Sequence, residues 1–387
     1  MISRVADHCF WFGRYLERAE STARLLQTSA NLALDGDLTP IQVWQPVVIT
    51  AGEEEEFIKR RGADAFADGE AVQEHLSLDR EVGASILRSV KAARENARSV
   101  REVISLEVWE TINELHLYLQ SQLSRDEFNE HRYGFYKRVR KEAQLTLGLL
   151  RGTMLHDTPL HFIWLGTLIE RTGQTARILD VHHHAFSRAV AAPDAPQTQA
   201  QSQSQVFSGG QTQPMNGMTQ SQALPLAKPV RLSAEQEARQ VIEVSLWLSL
   251  LRACYGFEPF LKLHRGAVTG EAAAHFLIFE PRFPRSVHHC VTRVRELLEQ
   301  VRPEKSKLST AVPSRSFERV RVLEEALGAR VEERLDEHGM HALLTEVVDQ
   351  MHAVCDELSE ELLGPPVAEK AAAATPVPPP KETSLSE

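Results

Sequence analysis

Apolar residues recur along this chain at three- and four-residue spacing, with little of the β-branched alternation that marks strands, so the pattern predicts an all-α, multi-helix bundle. Ile86, Val90, Ala93, Ala97, Val100 and Ile104 form one such stripe and predict a helix running through Ile104 with that face toward a core. Further helices are predicted at about 105–123, 128–153, 158–186, 234–254, 286–301, 315–329 and 332–362, with breaks marked by Pro159, Pro259, Pro284, Pro303 and Pro313. The adjacent carboxylates Glu53 to Glu56 would point in different directions on a helix, so they read as a solvated helix start or loop and not as a cation site.

The apolar pattern lapses twice. Residues 189–230 turn to Gln, Ser, Thr, Pro and Gly, with few large apolar side chains to drive a core, and predict a flexible linker. An Ala/Pro-rich tail at 365–387 is expected not to fold. Two helical segments remain, 1–188 and 231–364, the second adding a further helical layer to the first.

Within the first segment the pattern repeats itself. Laying Trp11 on Trp164 aligns His8 to Leu26 with His161 to Leu179, and nine of nineteen positions are identical, including the Gly, Glu and Arg of a Trp-x-Gly-x-x-x-Glu-Arg helix. Phe12, Leu16, Ala19, Ala23 and Leu26 share one helical face, as do Leu165, Ile169, Thr172, Ala176 and Leu179, and both faces are core. Glu17 and Arg24 border that stripe on one side, Trp11, Arg18 and Thr22 on the other, so each charge sits at the edge of a buried surface and needs a partner.

Glu17 and Arg24 stand about 10 Å apart along the axis, long for a direct pair, so their partners should come from elsewhere. The simplest arrangement packs the two repeat helices about a pseudo-two-fold axis, with Glu17 meeting Arg171 or Arg177 and Glu170 meeting Arg18 or Arg24. It implies that Glu17→Ala and Arg177→Ala lose stability non-additively. Gly13 and Gly166 would then allow close backbone approach.

Charge and cysteine usage narrow the class. Lys plus Arg total 43 against 53 Asp plus Glu, a net charge of −10, which gives no general attraction to nucleic acid or to an anionic membrane. Cys9, Cys254, Cys290 and Cys355 lie far apart with no Cys-x-x-Cys pair, so buried, reduced thiols are expected in a cytoplasmic protein. Residues 1–12 mix Arg4, Asp7 and His8 among apolar positions, unlike a signal peptide, and the apolar run Val244 to Leu251 is too short to span a bilayer.

Several constellations are candidates for chemistry. Arg94, Arg98 and Arg101 form a basic stripe that either binds a phosphate or carboxylate or pairs with Glu17, Glu170 or surface acids. Asn96 and Asn113 would bring amides near the repeat helices, for a ligand or for interhelical bonding. Glu17 and Glu170 could serve as an acid and base pair or hold a metal, but neither is followed by the Glu-x-x-His of diiron bundles, and each has an adjacent Arg that repels a cation. No metal or other cofactor is expected. His182 to His184 and His288–His289 cannot all face one ion, and the matched His8 and His161 read as hydrogen-bonded structural groups. No phosphate-binding loop, dinucleotide fingerprint, nucleophile elbow or His-Glu-x-x-His is present.

The segments Ser3-Arg4-Val5-Ala6, Trp11-Phe12-Gly13-Arg14-Tyr15-Leu16-Glu17-Arg18-Ala19-Glu20, Ala93 to Arg98, Trp109 to Asn113, Gly152-Thr153-Met154, the second Glu-Arg helix and Phe283-Pro284-Arg285-Ser286 resemble the bacterial alpha-E family. The resemblance covers most of residues 1–364; the Gln-rich insertion and the tail fall outside it. The family has no assigned reaction. It implies an association with circularly permuted ATP-grasp proteins and with transglutaminase-like proteins, and hence amide-bond or peptide-modifying chemistry. The expected function is therefore an accessory or binding subunit of an ATP-grasp amide ligase. The alternative is a helical enzyme acting on an amide or carboxylate substrate. For either, the candidate residues are Glu17, Arg18, Arg24, Arg94, Asn96, Arg98, Glu170, Arg171 and Arg177, which equally form a structural ion-pair core.

Overall fold

A computed structural model describes residues 3–35, 38–191, 234–301, 314–331 and 337–363. The described residues form helices and no strand: α1 (Ser3–Asp35), α2 (Pro40–Ala51), α3 (Glu54–Arg61), a 3₁₀ turn (Ala63–Ala67), α4 (Gly69–Ser77), α5 (Ile86–Ser99), α6 (Leu106–Gln120), α7 (Gln122–Glu130), α8 (Arg132–Thr153), α9 (Thr158–Ala191), α10 (Ala234–Ala253), α11 (Phe257–Leu263), α12 (Gly270–Phe279), α13 (Val287–Val301), α14 (Arg315–Ala329), α15 (Glu337–Leu358) and a π-helical turn (Ser359–Leu363). The linker and tail expected at 189–230 and 365–387 lie outside the described residues, except 189–191, which end α9.

The two repeat helices, α1 and α9, are the axis of the molecule. A Cβ on Gly13 would lie 2.0 Å from the carbonyl oxygen of Ile163, and one on Gly166 would lie 1.9 Å from that of Phe10. These two contacts are repeat equivalents of each other, so the pseudo-two-fold relation expected from the sequence is realised as backbone touching backbone. The partners advance together along both helices, from Phe10 and Ile163 to Arg18 and Arg171, so α1 and α9 run in the same direction. Parallel neighbours need a long return connection, and α2 to α8 supply it.

Caps set the boundaries of that return path. Ser85, Ser105 and Ser121 each accept the amide N–H three residues on, opening α5, α6 and α7. The helix expected through Ile104 therefore stops at Ser99. Val100 and Ile104 stay buried in the turn that leads to the Ser105 cap, and Arg101 lies beyond the helix and not on its basic stripe. The segment expected at 105–123 likewise ends at Gln120, because Ser121 caps a new helix. Pro159 and Pro259 sit in the first turns of α9 and α11, where a missing N–H costs no hydrogen bond. Glu54 opens α3, as a helix start for the acidic run. The helices α2, α3, α4, α11 and α12, 7 to 12 residues long, escaped the periodicity reading because so few turns carry a weak stripe.

The C-terminal segment forms a layer on the same core. Helices α10, α13 and α15 pack against α9, with α14 outside them against α13 and α15. Phe10, Phe12, Leu16, Ala19, Ala23 and Leu26 are fully buried, as are Leu165, Ala176 and Leu179. The contact at Gly13 generates a prediction: Gly13→Ala forces the two backbones apart, and should lower unfolding stability by about 3 kcal/mol in chemical denaturation, whereas Gly148→Ala, whose added Cβ meets nothing within 4 Å, should not destabilise.

Candidate functional site

The carboxylate of Glu17 is completely buried and receives Nε and Nη2 of Arg171 on Oε1 and Oε2, at 3.0 and 2.8 Å. The repeat-related carboxylate of Glu170 receives the same atoms of Arg18, Nε on Oε1 at 2.7 Å and Nη2 on Oε2 at 3.0 Å. The two forks are equivalent atom for atom, so the duplicated Glu-Arg motif is a reciprocal exchange of bidentate ion pairs between α1 and α9. Of the alternatives left open by the sequence, Arg171 and Arg18 are the direct partners, and Arg177 and Arg24 are not.

A third guanidinium completes each pair, and here the symmetry fails. Arg285, in the turn before α13, donates to Glu17 Oε1 at 2.7 Å. Arg14, on α1 itself, donates to Glu170 Oε2 at 2.9 and 2.6 Å, and its repeat equivalent is Thr167, an uncharged residue. Gln174 adds a longer bond to Glu170 Oε1 at 3.3 Å.

Glu20, on the turn after Glu17, takes Arg24 Nη1 at 3.0 Å, Arg285 Nη2 at 3.3 Å and the hydroxyl of Tyr255 at 2.9 Å. Arg24 thus finds its carboxylate one turn away on its own helix, and it also donates to the Ala253 carbonyl at 2.5 Å and to Ser21 Oγ at 3.2 Å. Tyr255 has a left-handed backbone, φ 56°, a rare conformation for a bulky side chain. Its hydroxyl accepts from Arg140 at 3.1 and 2.8 Å while donating to Glu20. Arg140 also reaches Gln27. Every side chain of this half of the core is thereby matched.

These partners fix ionisation. Burial would raise the pKa of Glu17, but Arg171 and Arg285 overcome it and bring the carboxyl down to about 2. Burial likewise opposes ionisation of Glu170, and Arg18 and Arg14 pull its carboxyl well below the usual carboxylate range.

The other candidates lie elsewhere. Arg94 donates to Asn113 Oδ1 at 3.1 Å, pairs with Glu95, and stands over the Trp109 ring; Arg98 pairs with Glu95 at 2.7 Å. The basic stripe therefore meets a surface acid and an aromatic face, and the structure does not bring it to Glu17 or Glu170. Arg101 stands over the same Trp109 ring from the turn after α5. Asn96 bonds His8 Nδ1 at 2.9 Å and its own helix at Ala92, an interhelical tie. His182 is buried against the Ile178 carbonyl and His183 lies beside Trp247, so these consecutive histidines turn to different surroundings. All four cysteines are buried free thiols.

Arg14, Glu20, Tyr255 and Arg285 were missed as site residues. Arg14 and Glu20 were legible, one turn before Arg18 and one turn before Arg24; Arg285 and Tyr255 carried no local signal of pairing with a helix more than two hundred positions away. A cavity of about 720 Å³ is lined by Phe260, His264, Glu271, His275, Phe279 and Arg282 among others, and no residue of the Glu-Arg core reaches it.

Fold and site together define an all-helical protein built on an internally duplicated, ion-paired Glu-Arg helix. The chain matches the Alpha-E family, described as "a predicted alpha-helical domain with a conserved ER motif", over residues 1–207 and 219–363, and it belongs to that family. No curated protein and no solved structure gives a significant match. No helix among the described residues is long and apolar enough to cross a membrane.

Two predictions arise from this geometry. In a double-mutant cycle read by urea unfolding, Glu17→Ala and Arg171→Ala should be non-additive by about 1 kcal/mol or more, whereas Glu17→Ala and Arg177→Ala, which share no bond, should add within about 0.5 kcal/mol. This replaces the coupling to Arg177 expected from the sequence. The folded carboxyls of Glu17 and Glu170 ionise below the ordinary glutamate value of 4.5. Their stabilisation is therefore complete above that pH and lost as pH falls toward 2, and Glu17→Gln, measured by unfolding across pH 2 to 6, should flatten part of that fall.

Proposed function

We propose that this chain is a bacterial, cytoplasmic accessory subunit that is not catalytic by itself and works with a circularly permuted ATP-grasp amide ligase. It binds the peptide substrate of that ligase or holds the assembly, in a setting that also includes a transglutaminase-like protein. The family resemblance supplies the partner class. The single structural observation that carries the non-catalytic reading is the closure of the Glu-Arg core: Glu17 is 0% exposed, Glu170 3%, and both are held as carboxylates by paired arginines.

The competing reading, a helical enzyme acting on an amide or carboxylate through this core, needs a carboxyl that exchanges a proton near neutral pH. General acid–base groups work best with a pKa close to the operating pH. Glu17 and Glu170 are driven the opposite way, and neither Arg171 nor Arg18 leaves an oxygen of its carboxylate unbonded. The core fits the role of a rigid frame whose outer faces are available to partners.

Mild affinity purification of the tagged full chain from its native host tests the partnership. An ATP-grasp protein should be recovered in near-stoichiometric amount. Recovery of the chain alone, under conditions that retain other complexes, would count against it.

A further inference from the structure

The two halves of the Glu-Arg core differ in how their arginines are matched by carboxylates. Around Glu17, the arginines Arg24, Arg140, Arg171 and Arg285 share two carboxylates, since Glu20 stands beside Glu17. Around Glu170, Arg14 and Arg18 bond that carboxylate, Glu53 also acts on Arg18, and Arg177 bonds no carboxylate among the described residues, because the repeat equivalent of Glu20 is Gly173. Arg24 has Glu20 one turn before it, and its equivalent Arg177 has Gly173 at the same place.

The space left by that exchange is open. A Cβ added at Gly173 would meet nothing within 4 Å. A crevice of about 10 Å³ lies there, lined by Arg14, Glu170, Gly173, Arg177, Met351 and His352 among others. Among the described residues Arg177 bonds only His352, Nη2 to Nε2 at 2.8 Å, a contact in which the guanidinium donates and the imidazole is neutral. Burial lowers the proton affinity of Arg177, Glu170 opposes that, and Arg18 and Arg14 add to it. The nearby Cys355 accepts from Arg14 at 2.9 Å, but burial pushes its thiol up and it contributes no charge. The acids Asp349 and Asp356 on α15 are exposed and make no bond to Arg177.

We propose that this crevice is an anion site for a carboxylate brought by a ligand, which takes the place beside Glu170 that Glu20 takes beside Glu17. Arg177 and Arg14 are its binding residues, as Arg24 and Arg285 bind Glu20. The ligand's remainder projects past the exposed His352 at the mouth. The crevice has room for about one water-sized group, enough for one carboxylate oxygen, and the carboxylate class is argued from the place Glu20 takes in the other half. The assignment stands on these residues alone and does not depend on the partnership proposed above.

Formate is the probe. Thermal melting of the full chain is followed against formate concentration, with ionic strength balanced by sodium chloride. The native chain should show a saturable rise in Tm, roughly 3 °C at a tenfold excess over Kd. Arg177→Gln removes a binding group without touching the bonds to Glu170, and should fold and lose the formate response. Gly173→Glu should also lose it, since it supplies the missing carboxylate from within, and should melt above Gly173→Gln, which shares its gain in helix propensity but carries no charge. The same differential shift with sulfate would overturn the carboxylate class. An equal formate response in the native chain, Arg177→Gln and Gly173→Glu, or no response in the native chain, would overturn the site.

Discussion

Two glutamates carried wholly out of water constrain everything around them. A buried carboxylate is tolerated only with paired, hydrogen-bonded cations, and the loss of one partner costs about 3–5 kcal/mol because it strands a charge. Glu17 and Glu170 meet this condition by trading arginines across one interface. The trade requires helices in parallel register and close enough for the forks to reach, hence glycine at 13 and 166, where any side chain would strike a carbonyl. Parallel register in turn requires the long excursion through α2 to α8. Replacing such pairs by apolar residues often leaves a protein as stable, so the value of the network here lies in register: a one-turn slip between α1 and α9 would separate each carboxylate from its guanidinium.

The same network joins the distant part of the chain. Arg285 donates to both Glu17 and Glu20, Tyr255 closes on Glu20, and Arg24 binds the carbonyl that ends α10. The residues after 233 therefore complete the core, and the first half alone would leave Glu17 and Glu20 without two of their donors. The strained backbone of Tyr255 is explained by this role, since the left-handed turn aims its hydroxyl at Glu20 while the chain passes into α11.

Much of this was legible in the residues. The duplicated motif gave the two axial helices, their apolar faces and a reciprocal exchange of charges between them, because repeat symmetry converts one pattern into a contact. Which arginine meets each glutamate stayed open between Arg171 and Arg177, and between Arg18 and Arg24, until the structure chose Arg171 and Arg18. Symmetry also misled. It suggested that Arg24 and Arg177 behave alike, whereas Arg24 is neutralised by Glu20 on its own helix and Arg177 is not. Arg285 stands in a short Phe-Pro-Arg-Ser segment, and nothing in a one-dimensional pattern says that a turn residue reaches a carboxylate 268 positions away. The stripe from Ile86 to Ile104 was continuous in apolar spacing but not in structure, since a buried turn can place Val100 and Ile104 in the core as well as a helix can.

Duplication followed by divergence gives the clearest physical reason to separate frame from function. The features held in both copies, the glycine contact and the bidentate Glu-Arg fork, are the ones that set helix register, and both carboxylates of the forks are buried. The features that differ lie one turn further along: Glu20 against Gly173, and Arg14 against Thr167. One half is closed by Glu20, Tyr255 and Arg140, all bonded to one another. The other has Gly173 in place of Glu20 and meets the surface at Arg177 and His352. A frame needs only the shared part. Among the described residues Arg177 bonds no carboxylate at an edge of the core that reaches solvent, so the chemistry of this protein is to be sought where its two halves stop matching.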